Sequence, residues 1–296
     1  MGVQQNLRGE LKQHETLSRY TSWRVGGEAR QLYRPADAED LAVFLKQLPK
    51  EEPVLWLGLG SNVLIRDGGF PGTVIVTAGA LQKIRIQGQT VEAEVGISCS
   101  KLAKQVAKAG LKGAAFLAGI PGTLGGALAM NAGAHGHETW EFVRGITTID
   151  RQGQRHQRPR RDFDVSYRHV ELPEGERFIA AQMTFEPGDA EVETSLIRDL
   201  LKKRNASQPT NQPCAGSVFR NPQGDFAGRL IELCNLKGLT IGGASVSLKH
   251  ANFIVNDGSA TAADIENLIR LVQQKVEELQ GVRLIPEVHI IGEAAT

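Results

Sequence analysis

The segment 119–138 constrains the fold of this chain most strongly, because it contains six glycines in twenty positions. Glycine reaches backbone conformations closed to other residues and lets backbone N–H groups approach a ligand. Pro121 suits the first turn of a helix, so we expect a helix from about Gly122 to Met130 whose free N–H groups face negative charge. The segment therefore predicts a nucleotide cofactor site, and tight helix packing is the alternative reason for so many small residues.

A second glycine-containing loop follows an apolar run. Residues 53–57 predict a buried strand that leads directly into Gly58-Leu59-Gly60-Ser61-Asn62. Successive backbone N–H groups with two polar side chains suit a pyrophosphate, although an ordinary turn has the same composition. Neither glycine segment has the G-x-G-x-x-G pattern, followed by an acidic residue, of the doubly wound dinucleotide fold. The two loops together favour a nucleotide-binding fold of another type.

Composition limits the classes of partner. A hydrophobic fraction of 41%, a charged fraction of 23% and a net charge of +1 argue against broad binding to nucleic acid or membrane. No apolar run approaches the roughly 18 residues of a membrane span. The three cysteines are widely spaced and fit neither a disulfide framework nor a zinc site, so we expect no metal and a reducing cytoplasm. A length of 296 residues predicts two or three sub-domains.

Helix and strand signals alternate along the chain. Residues 38–48 predict a helix capped by Asp37, and residues 98–110 and 194–203 predict two more. The clearest helix signal begins at a Thr261 cap and ends at Gly281, with Leu279 on its apolar face. The predicted strands are residues 74–77, 90–95, 146–150, 178–185, 251–256 and 283–291.

Two residues outside the glycine loops are candidates for chemistry. Ser217 follows a glycine and precedes an apolar run that predicts a strand, which is one way to hold a hydroxyl at a ligand, although a lone serine is as often structural. Glu287 follows Pro286 between apolar neighbours, and a partly desolvated carboxylate is costly unless it is paired. Glu287 is therefore either salt-bridged or functional.

Seven segments together resemble one known family in their order and spacing. The sequence resembles the UDP-N-acetylenolpyruvoylglucosamine reductases, the flavoenzymes of peptidoglycan precursor synthesis. This family belongs to a wider group of flavin-binding domains also found in vanillyl-alcohol-type oxidases. The matching segments are residues 21–27, 58–64, 119–138, 167–168, 216–222, 249–256 and 281–292.

The resemblance implies an α+β fold: an FAD-binding unit of two sub-domains, of the vanillyl-alcohol-oxidase (PCMH-like) type, with a C-terminal α/β substrate-binding domain. The implied sub-domains are residues 1–78, completed by about 283–296, then 79–190, with the substrate domain at 205–282. It also implies that FAD is held non-covalently. The implied FAD-binding residues are Gly58, Gly60, Ser61, Asn62, Gly119, Pro121, Gly122, Thr123, Gly125, Gly126, Asn131, Ala132 and Gly133.

The resemblance also implies a reaction. NADPH reduces FAD, and hydride then passes to the vinyl carbon of UDP-N-acetylglucosamine enolpyruvate, giving UDP-N-acetylmuramate. In this scheme Arg168 grips the substrate carboxylate, Ser217 donates the proton and Glu287 assists the enolic intermediate. The expected substrate contacts are Tyr167, Asn221 and Lys249. We expect a cytoplasmic monomer without nucleic-acid or membrane partners.

One departure and two alternatives remain. Only 49 positions lead from Arg168 to Ser217, too few for the tyrosine-bearing loop of the enterobacterial enzymes, so the chain resembles the shorter, type II branch. The candidates for the diphosphate contact are therefore Lys203, Arg204 and Arg220. An oxidase of the same superfamily, with flavin tethered through His135 or His137, is one alternative. A non-catalytic nucleotide-binding protein is the other, although it would have no use for Arg168, Ser217 and Glu287 together.

Overall fold

The computed structural model describes residues 7–295, which contain helices and strands in alternation. Short 3₁₀ turns occur between them, among them Leu17–Tyr20 and Ala115–Gly119. The α-helices are α1 (Ala38–Gln47), α2 (Cys99–Lys108), α3 (Leu124–Ala129), α4 (Ala190–Ser207), α5 (Ala227–Leu233) and α6 (Ala262–Gln280). The strands are β1 (Glu10–Thr16), β2 (Glu28–Arg34), β3 (Val54–Leu57), β4 (Val63–Ile65), β5 (Phe70–Val76), β6 (Ile84–Gln87), β7 (Thr90–Glu94), β8 (Leu111–Lys112), β9 (Gly133–Ala134), β10 (His137–Glu138), β11 (Val143–Ile149), β12 (Arg155–Pro159), β13 (Val165–Ser166), β14 (His169–Val170), β15 (Arg177–Thr184), β16 (Glu186–Pro187), β17 (Thr240–Ile241), β18 (Ala244–Val246), β19 (Ile254–Asn256) and β20 (His289–Ile291).

The chain divides into two compact units, and neither is one continuous stretch of sequence. Unit 1 contains the described residues up to Lys12, then Leu32–Leu59 and Thr73–Lys202. Unit 2 contains Gln13–Gln31, Gly60–Gly72 and the described residues from Lys203 onward. The division runs through β1, β2 and β5, so these three strands contribute to both units.

Unit 1 is built on a five-stranded antiparallel sheet of order β12-β11-β15-β7-β6. Helix α3 lies against β15 and β7, and the α2 residues Leu102 and Val106 are fully buried. Strand β3 pairs in parallel with β5, with Leu57 opposite Val76. Because β3 ends at Leu57, the paired strands fix the position at which the Gly58 loop begins.

Unit 2 contains the antiparallel sheet β17-β18-β19, against which α6 packs. The apolar side chains of α6 are buried, among them Ile265, Leu268 and Val272. Strand β20 pairs in parallel with β4, so that His289 lies opposite Val63. This pairing brings the C-terminal segment, with Glu287, beside the chain that follows the Gly58 loop.

Several predicted elements are confirmed by their caps. The Asp37 side chain accepts from Asp40 N at 2.9 Å at the start of α1. Thr261 and Asp264 form a reciprocal capping box at the start of α6, and Gly281 ends the helix with φ +68°. Each cap satisfies backbone groups that a helix end leaves without partners.

Other predictions were wrong in extent. The glycine-segment helix begins at Leu124 rather than Gly122, because Thr123 is its N-cap, and Pro121 therefore lies before the first turn and not in it. No strand follows Ser217, and the predicted strand 283–291 is reduced to β20, because residues 216–221 and 284–288 pair only at an isolated bridge between Phe219 and Pro286. Helix α4 is longer than residues 194–203, and Leu279 is 62% exposed rather than on the buried face of α6. Residues 1–6 and 296, at the outer ends of the first predicted sub-domain, lie outside the described residues.

Among the described residues, no helix combines the length and apolar character that crossing a membrane would need.

Candidate active site

The two glycine segments approach each other within unit 1. A Cβ added at Gly58 would lie 2.5 Å from Thr123 Oγ1, a distance that real Cβ atoms essentially never show. Only glycine therefore permits this approach of the loop after β3 to the start of α3. The sequence placed both segments at the same ligand, and the structure brings these two positions together.

The start of α3 is fixed by the loop between β7 and α2. Leu124 N donates to Ile97 O and Gly125 N donates to Val95 O, both at 2.9 Å, while Gly122 O accepts from Cys99 N. Thr123 is 2% exposed and caps α3 through its side chain. The loop after β3 therefore meets a fixed segment. The expectation that the first N–H groups of α3 are free to face negative charge is wrong, because Leu124 N and Gly125 N already donate to backbone carbonyls.

Gly126 presents a different surface. It is exposed, and a Cβ added there would meet no atom within 4 Å. Thus Gly58 and Gly125 are small because protein atoms lie against them, whereas packing does not explain Gly126. An open glycine beside a tightly held loop is a surface on which a flat or phosphate-bearing group can lie close to the backbone. These residues fit the expected nucleotide cofactor.

Gly119 and Pro121 lie just before α3. Gly119 ends the 3₁₀ turn, and a Cβ there would be 3.2 Å from His135 Nε2. Pro121 is exposed. Both residues therefore precede the cap of α3 and do not form its first turn.

Arg168 lies beside the segment that follows α3. Its Nη1 donates to Asn131 O at 3.3 Å, and a Cβ added at Gly133 would lie 3.6 Å from the same Nη1. The Asn131 side chain has an internal role, because Nδ2 donates to Glu138 Oε2 at 2.7 Å and Oδ1 accepts from Trp140 N. Ala132 O accepts from the Thr139 backbone and hydroxyl. The Asn131 side chain therefore supports the loop that holds Arg168.

Tyr167 and Arg168 form the tip of a hairpin between β13 and β14. Arg168 has φ +56°, the left-handed region that non-glycine residues rarely adopt. Its guanidinium lies 5.0 Å from the centroid of the half-exposed Tyr167 ring. The hairpin tip thus holds the guanidinium between an aromatic ring and a carbonyl, where Arg168 is a candidate cation for an anionic ligand.

In unit 2, the second half of the Gly58 loop packs against the segment 20–27. Gly60 has φ +60°, and a Cβ there would lie 2.1 Å from Tyr20 O. Ser22 N donates to Gly60 O at 3.1 Å. Asn62 Nδ2 donates to Glu287 O at 3.1 Å, and Asn62 O accepts from His289 N. Asn62, expected to bind cofactor, therefore also anchors the Glu287 segment.

Ser217 and Glu287 are brought together by the backbone. Gly216 N donates to Ser61 O at 3.1 Å, and Glu287 N donates to Val218 O at 2.8 Å. Both Ser217 and Glu287 are half-buried. Within the described part of unit 2, the Ser217 hydroxyl makes no hydrogen bond, so it is available to a ligand. Ser61, Ser217 and Glu287 thus belong to one cluster in unit 2.

The sequence reasoning did not single out Asn252, which holds this cluster from the other side. It is 3% exposed, and its side chain makes two hydrogen bonds of 2.9 Å with the backbone of Phe219. The available signal was a lone amide within the apolar run 251–255, because a buried polar side chain requires partners.

The remaining expected substrate contacts lie elsewhere in unit 2. Asn221 Oδ1 accepts from Ala227 N at 3.1 Å at the start of α5, and Lys249 Nζ donates to Asn205 O. Arg220 Nε is buried and has no hydrogen-bond partner within the described residues. Its N–H could therefore donate to an anionic ligand. Burial lowers the pKa of Arg204, and burial together with the Arg220 charge lowers the pKa of His289. Lys203 lies near the end of α4.

No group of three or more histidine, cysteine or carboxylate side chains that could hold a metal ion occurs among residues 7–295. The buried Cys99 has its pKa raised to about 12 by burial, so at neutral pH it is a thiol and not a nucleophile.

Comparison with known proteins identifies two family models. Residues 29–157 match an FAD binding domain, and residues 208–291 match the C-terminal domain of UDP-N-acetylenolpyruvoylglucosamine reductase. A UDP-N-acetylenolpyruvoylglucosamine reductase from Alkalilimnicola ehrlichii is 56% identical over 286 residues, covering 97% of this chain and 96% of the relative.

Solved structures agree. The reductase of the same name from Thermus caldophilus superposes with a TM-score of 0.82 at 33% identity, covering 96% of this chain and 99% of that one. The 6-hydroxy-D-nicotine oxidase from Arthrobacter nicotinovorans, at 11% identity and a TM-score of 0.61, covers 96% of this chain and shares the fold. The expected α+β fold, with an FAD-binding unit and a C-terminal domain, is confirmed.

Proposed function

Because the chain belongs to the UDP-N-acetylenolpyruvoylglucosamine reductase family, we propose that it reduces UDP-N-acetylglucosamine enolpyruvate to UDP-N-acetylmuramate with NADPH as the hydride donor. Members of this family are FAD-dependent oxidoreductases of peptidoglycan precursor synthesis. One observation supports the catalytic assignment above the others: Ser217 and Glu287 lie on two segments joined by direct backbone hydrogen bonds. We further propose that it acts in the cytoplasm as a monomer.

The cofactor would be held by the glycine segments. Gly58, Gly122, Thr123, Gly125 and Gly126 would contact it in unit 1, where the open surface at Gly126 leaves space for a ligand. The resemblance also names Gly60, Ser61 and Asn62 as cofactor contacts, and their role stays a prediction. When bound, FAD accepts hydride from NADPH and delivers it to the substrate's vinyl carbon.

Arg168 would bind the substrate carboxylate. Hydride addition at the terminal carbon drives negative charge through the adjacent carbon into that carboxylate, so the transition state carries charge that the ground state lacks. A fixed guanidinium stabilises this charge more than it stabilises the substrate, and thereby lowers the barrier. The hairpin position of Arg168 and its bond to Asn131 O hold the guanidinium in place.

Ser217 Oγ would deliver the proton that completes the lactyl ether. A serine hydroxyl is a weak acid, but the adjacent carbanion is strongly basic, so the position of the hydroxyl matters more than its acidity. Glu287 would stabilise the enolic intermediate through an ordered hydrogen bond. Since Glu287 N bonds to Val218 O, the two residues keep a fixed relation during the reaction.

Arg220 and Lys249 would meet the anionic part of the substrate. The buried, unpartnered Nε of Arg220 is the feature that favours it for the diphosphate over Lys203 and Arg204. Tyr167 and Asn221 would complete the substrate contacts.

The two half-reactions of Ser217→Ala test this assignment. Reduction of bound flavin by NADPH should stay within about twofold of wild type, because Ser217 does not take part in it. Reoxidation by the enolpyruvyl substrate should slow at least ~100-fold, the scale of general acid catalysis. Both are followed by anaerobic stopped-flow absorbance of the flavin.

Ser245→Ala is the matched control, since Ser245 is a half-buried serine of the same unit in β18. It should leave both rates unchanged. Equal losses in the two half-reactions of Ser217→Ala would contradict the role of Ser217 as proton donor.

A further inference from the structure

We propose that Asn252 is a positioning residue that fixes Ser217 for proton transfer, through a two-bond clamp on the backbone of Phe219. This inference rests on the proposed function. It assigns a role to Asn252, which would act through Ser217 and would not touch the substrate.

The clamp uses both ends of the amide. Oδ1 of Asn252 accepts from Phe219 N at 2.9 Å, and Nδ2 donates to Phe219 O at 2.9 Å. The Asn252 backbone adds a third bond, because its carbonyl accepts from Val218 N at 2.9 Å. Asn252, Val218 and Phe219 are each at most 3% exposed, so water does not compete for these bonds.

The opposite side of the same segment explains why an amide is needed. Phe219 and Pro286 form an isolated antiparallel bridge, in which the bonds are Glu287 N to Val218 O and Arg220 N to Ile285 O. In such a pair the N–H and C=O of Phe219 itself point away from Pro286. They need other partners, since a buried backbone group without one costs free energy. The Asn252 amide supplies a donor and an acceptor on one side chain.

The clamp therefore sets the position of Ser217. This residue lies two positions before Phe219, in a segment without strand structure of its own. Glu287 keeps its own bond to the segment, from its N to Val218 O, in which the Asn252 amide takes no part. A shift of Phe219 would move the Ser217 hydroxyl, and a displacement of about 1 Å can cost on the order of 100-fold in rate.

Asn252→Leu tests the clamp, because leucine has nearly the same shape and removes both bonds without adding a charge. We expect reoxidation of NADPH-reduced enzyme by the enolpyruvyl substrate to slow 10- to 100-fold, with flavin reduction by NADPH within about twofold of wild type. Asn256→Leu is the matched control. Asn256 is 2% exposed in the same unit, and its side chain bonds to Trp23 O, Gly258 N and Ala260 N rather than to the Ser217 segment. It should lower thermal stability without a selective effect on reoxidation.

A double-mutant cycle with Ser217→Ala separates positioning from a general structural effect. If Asn252 acts through Ser217, adding Asn252→Leu to Ser217→Ala should slow reoxidation less than twofold further. Full additivity of the two losses would overturn the proposal, and so would normal reoxidation in Asn252→Leu.

Normal reoxidation in Ser217→Ala alone would instead contradict the proposed function, so the two failures are distinguishable. If Asn252→Leu does not yield flavin-bound protein, Asn252→Asp replaces it in the same cycle. An aspartate still accepts from Phe219 N but, when ionised, cannot donate to Phe219 O, so the same selective loss is expected and its absence overturns the proposal.

Discussion

At the residue scale, the glycines of the segment 119–138 do not share one physical cause. Gly125 would place a Cβ 3.0 Å from Val95 Cβ, and Gly133 would place one 2.7 Å from His137 O, so both are explained by packing. Gly126 has open space around it. The sequence alone offered packing and ligand binding as alternatives for the whole segment, and the two explanations apply to different residues.

Gly126→Ala distinguishes these causes by experiment. Gly126 lies inside α3, where replacing glycine by alanine stabilises a helix by roughly 0.5–1 kcal/mol. We therefore expect apoprotein that unfolds at a slightly higher temperature than wild type. If the cofactor lies against Gly126, the added methyl should weaken FAD binding by roughly 1–3 kcal/mol, which is about 5- to 150-fold in Kd.

The measurements are the thermal unfolding of apoprotein and FAD titration by fluorescence. Two other open glycines are unsuitable as controls. Gly136 has φ +87°, so alanine would strain the backbone there. Gly216 has no positive φ, but it lies beside Ser217. Ala129→Ser in the same helix, at another exposed position, is therefore the control, and it should leave FAD affinity unchanged. Unchanged affinity in Gly126→Ala would remove this residue from the cofactor site.

Arg168 carries the second prediction at this scale. Arg168→Ala should slow substrate reoxidation of reduced enzyme ~100- to 1000-fold, the cost of removing one group that stabilises developing charge. Flavin reduction by NADPH should change little. Stopped-flow absorbance measures both rates, and Arg161→Ala, which removes an exposed arginine of the same unit, is the control. A full reoxidation rate in Arg168→Ala would exclude this residue from the mechanism.

At the element scale, a buried carboxylate of α6 binds Arg66, the residue that follows β4. Glu266 is 7% exposed, and Arg66 Nε and Nη2 donate to its two oxygens at 2.9 and 3.0 Å, with Arg270 as a further partner. The bonds with Arg66 contribute most to lowering the pKa of Glu266, against the opposing effect of burial. The bidentate pair holds the helix to the strand that leads away from the Gly58 loop.

Glu266→Gln should lower the free energy of unfolding by about 1–2 kcal/mol at pH 7, less than for a fully buried pair because Arg66 and Arg270 keep contact with solvent. A carboxyl whose pKa is lowered by folding contributes stability that is fully present above its unfolded pKa of about 4.3 and is lost as the pH falls through the folded value. The difference between wild type and variant should therefore be constant above about pH 5.5 and shrink below about pH 4.

Urea unfolding as a function of pH measures this difference. Glu232→Gln removes the more exposed Lys237 pair and should cost less than about 0.5 kcal/mol at any pH. A difference for Glu266→Gln that does not depend on pH would show that the carboxylate charge is not the source of the stability.

Elements with strong local signals were the ones that the sequence predicted well. α1 and α6 have an acceptor side chain at the start and a stop at the end, so local chemistry determines their limits. The segment 283–291 alternates like a strand, but Pro286 has no N–H to donate, and only β20 finds a continuous partner. Leu279 continues the apolar period of α6 into its last turn, where no neighbouring element covers it. The extent of the strand and the exposure of Leu279 both depend on which elements lie nearby in the fold. The periodicity of a sequence carries no information about those neighbours.

The candidate site divides in the same way. Gly58 and Thr123 lie in segments whose composition points to a ligand, and the structure adds only that they touch. Asn62 and Asn252 act through bonds to Glu287 and Phe219, which are 225 and 33 positions away along the chain. When the partner is this remote in sequence, the residues around such an asparagine look the same as those around any other buried amide. Its role becomes visible only in three dimensions.

At the scale of the whole molecule, the division into two units follows from strands that pair far along the sequence. Unit 2 takes residues 13–31 and 60–72 from the first quarter of the chain, and β4 at Val63–Ile65 pairs with β20 at His289–Ile291. No linker or change in composition marks these crossings. The predicted sub-domain limits of 1–78, 79–190 and 205–282 remain predictions.

Whether the flavin is bound reversibly or covalently affects the stability of the whole molecule. Only a reversibly bound flavin makes the stability of the fold depend on the concentration of free FAD. A reversibly bound ligand stabilises the native state by RT ln(1 + [L]/Kd), about 2.7 kcal/mol at 100-fold excess over Kd, whereas a tethered flavin makes stability independent of added ligand. His135 and His137 are the side chains through which a tether could form, and both are exposed. His137 Nδ1 already lies 2.9 Å from Glu141 Oε2.

We therefore expect the unfolding temperature to rise steadily with free FAD and the flavin to separate from the chain in denaturant. Scanning calorimetry across a hundredfold range of FAD, followed by filtration of the unfolded protein, measures both. The variant His135→Ala/His137→Ala should show the same dependence on FAD as wild type, since neither ring is needed for reversible binding. Flavin that stays with the unfolded wild-type chain and is lost in the double variant would instead establish a tether, and would revive the oxidase alternative.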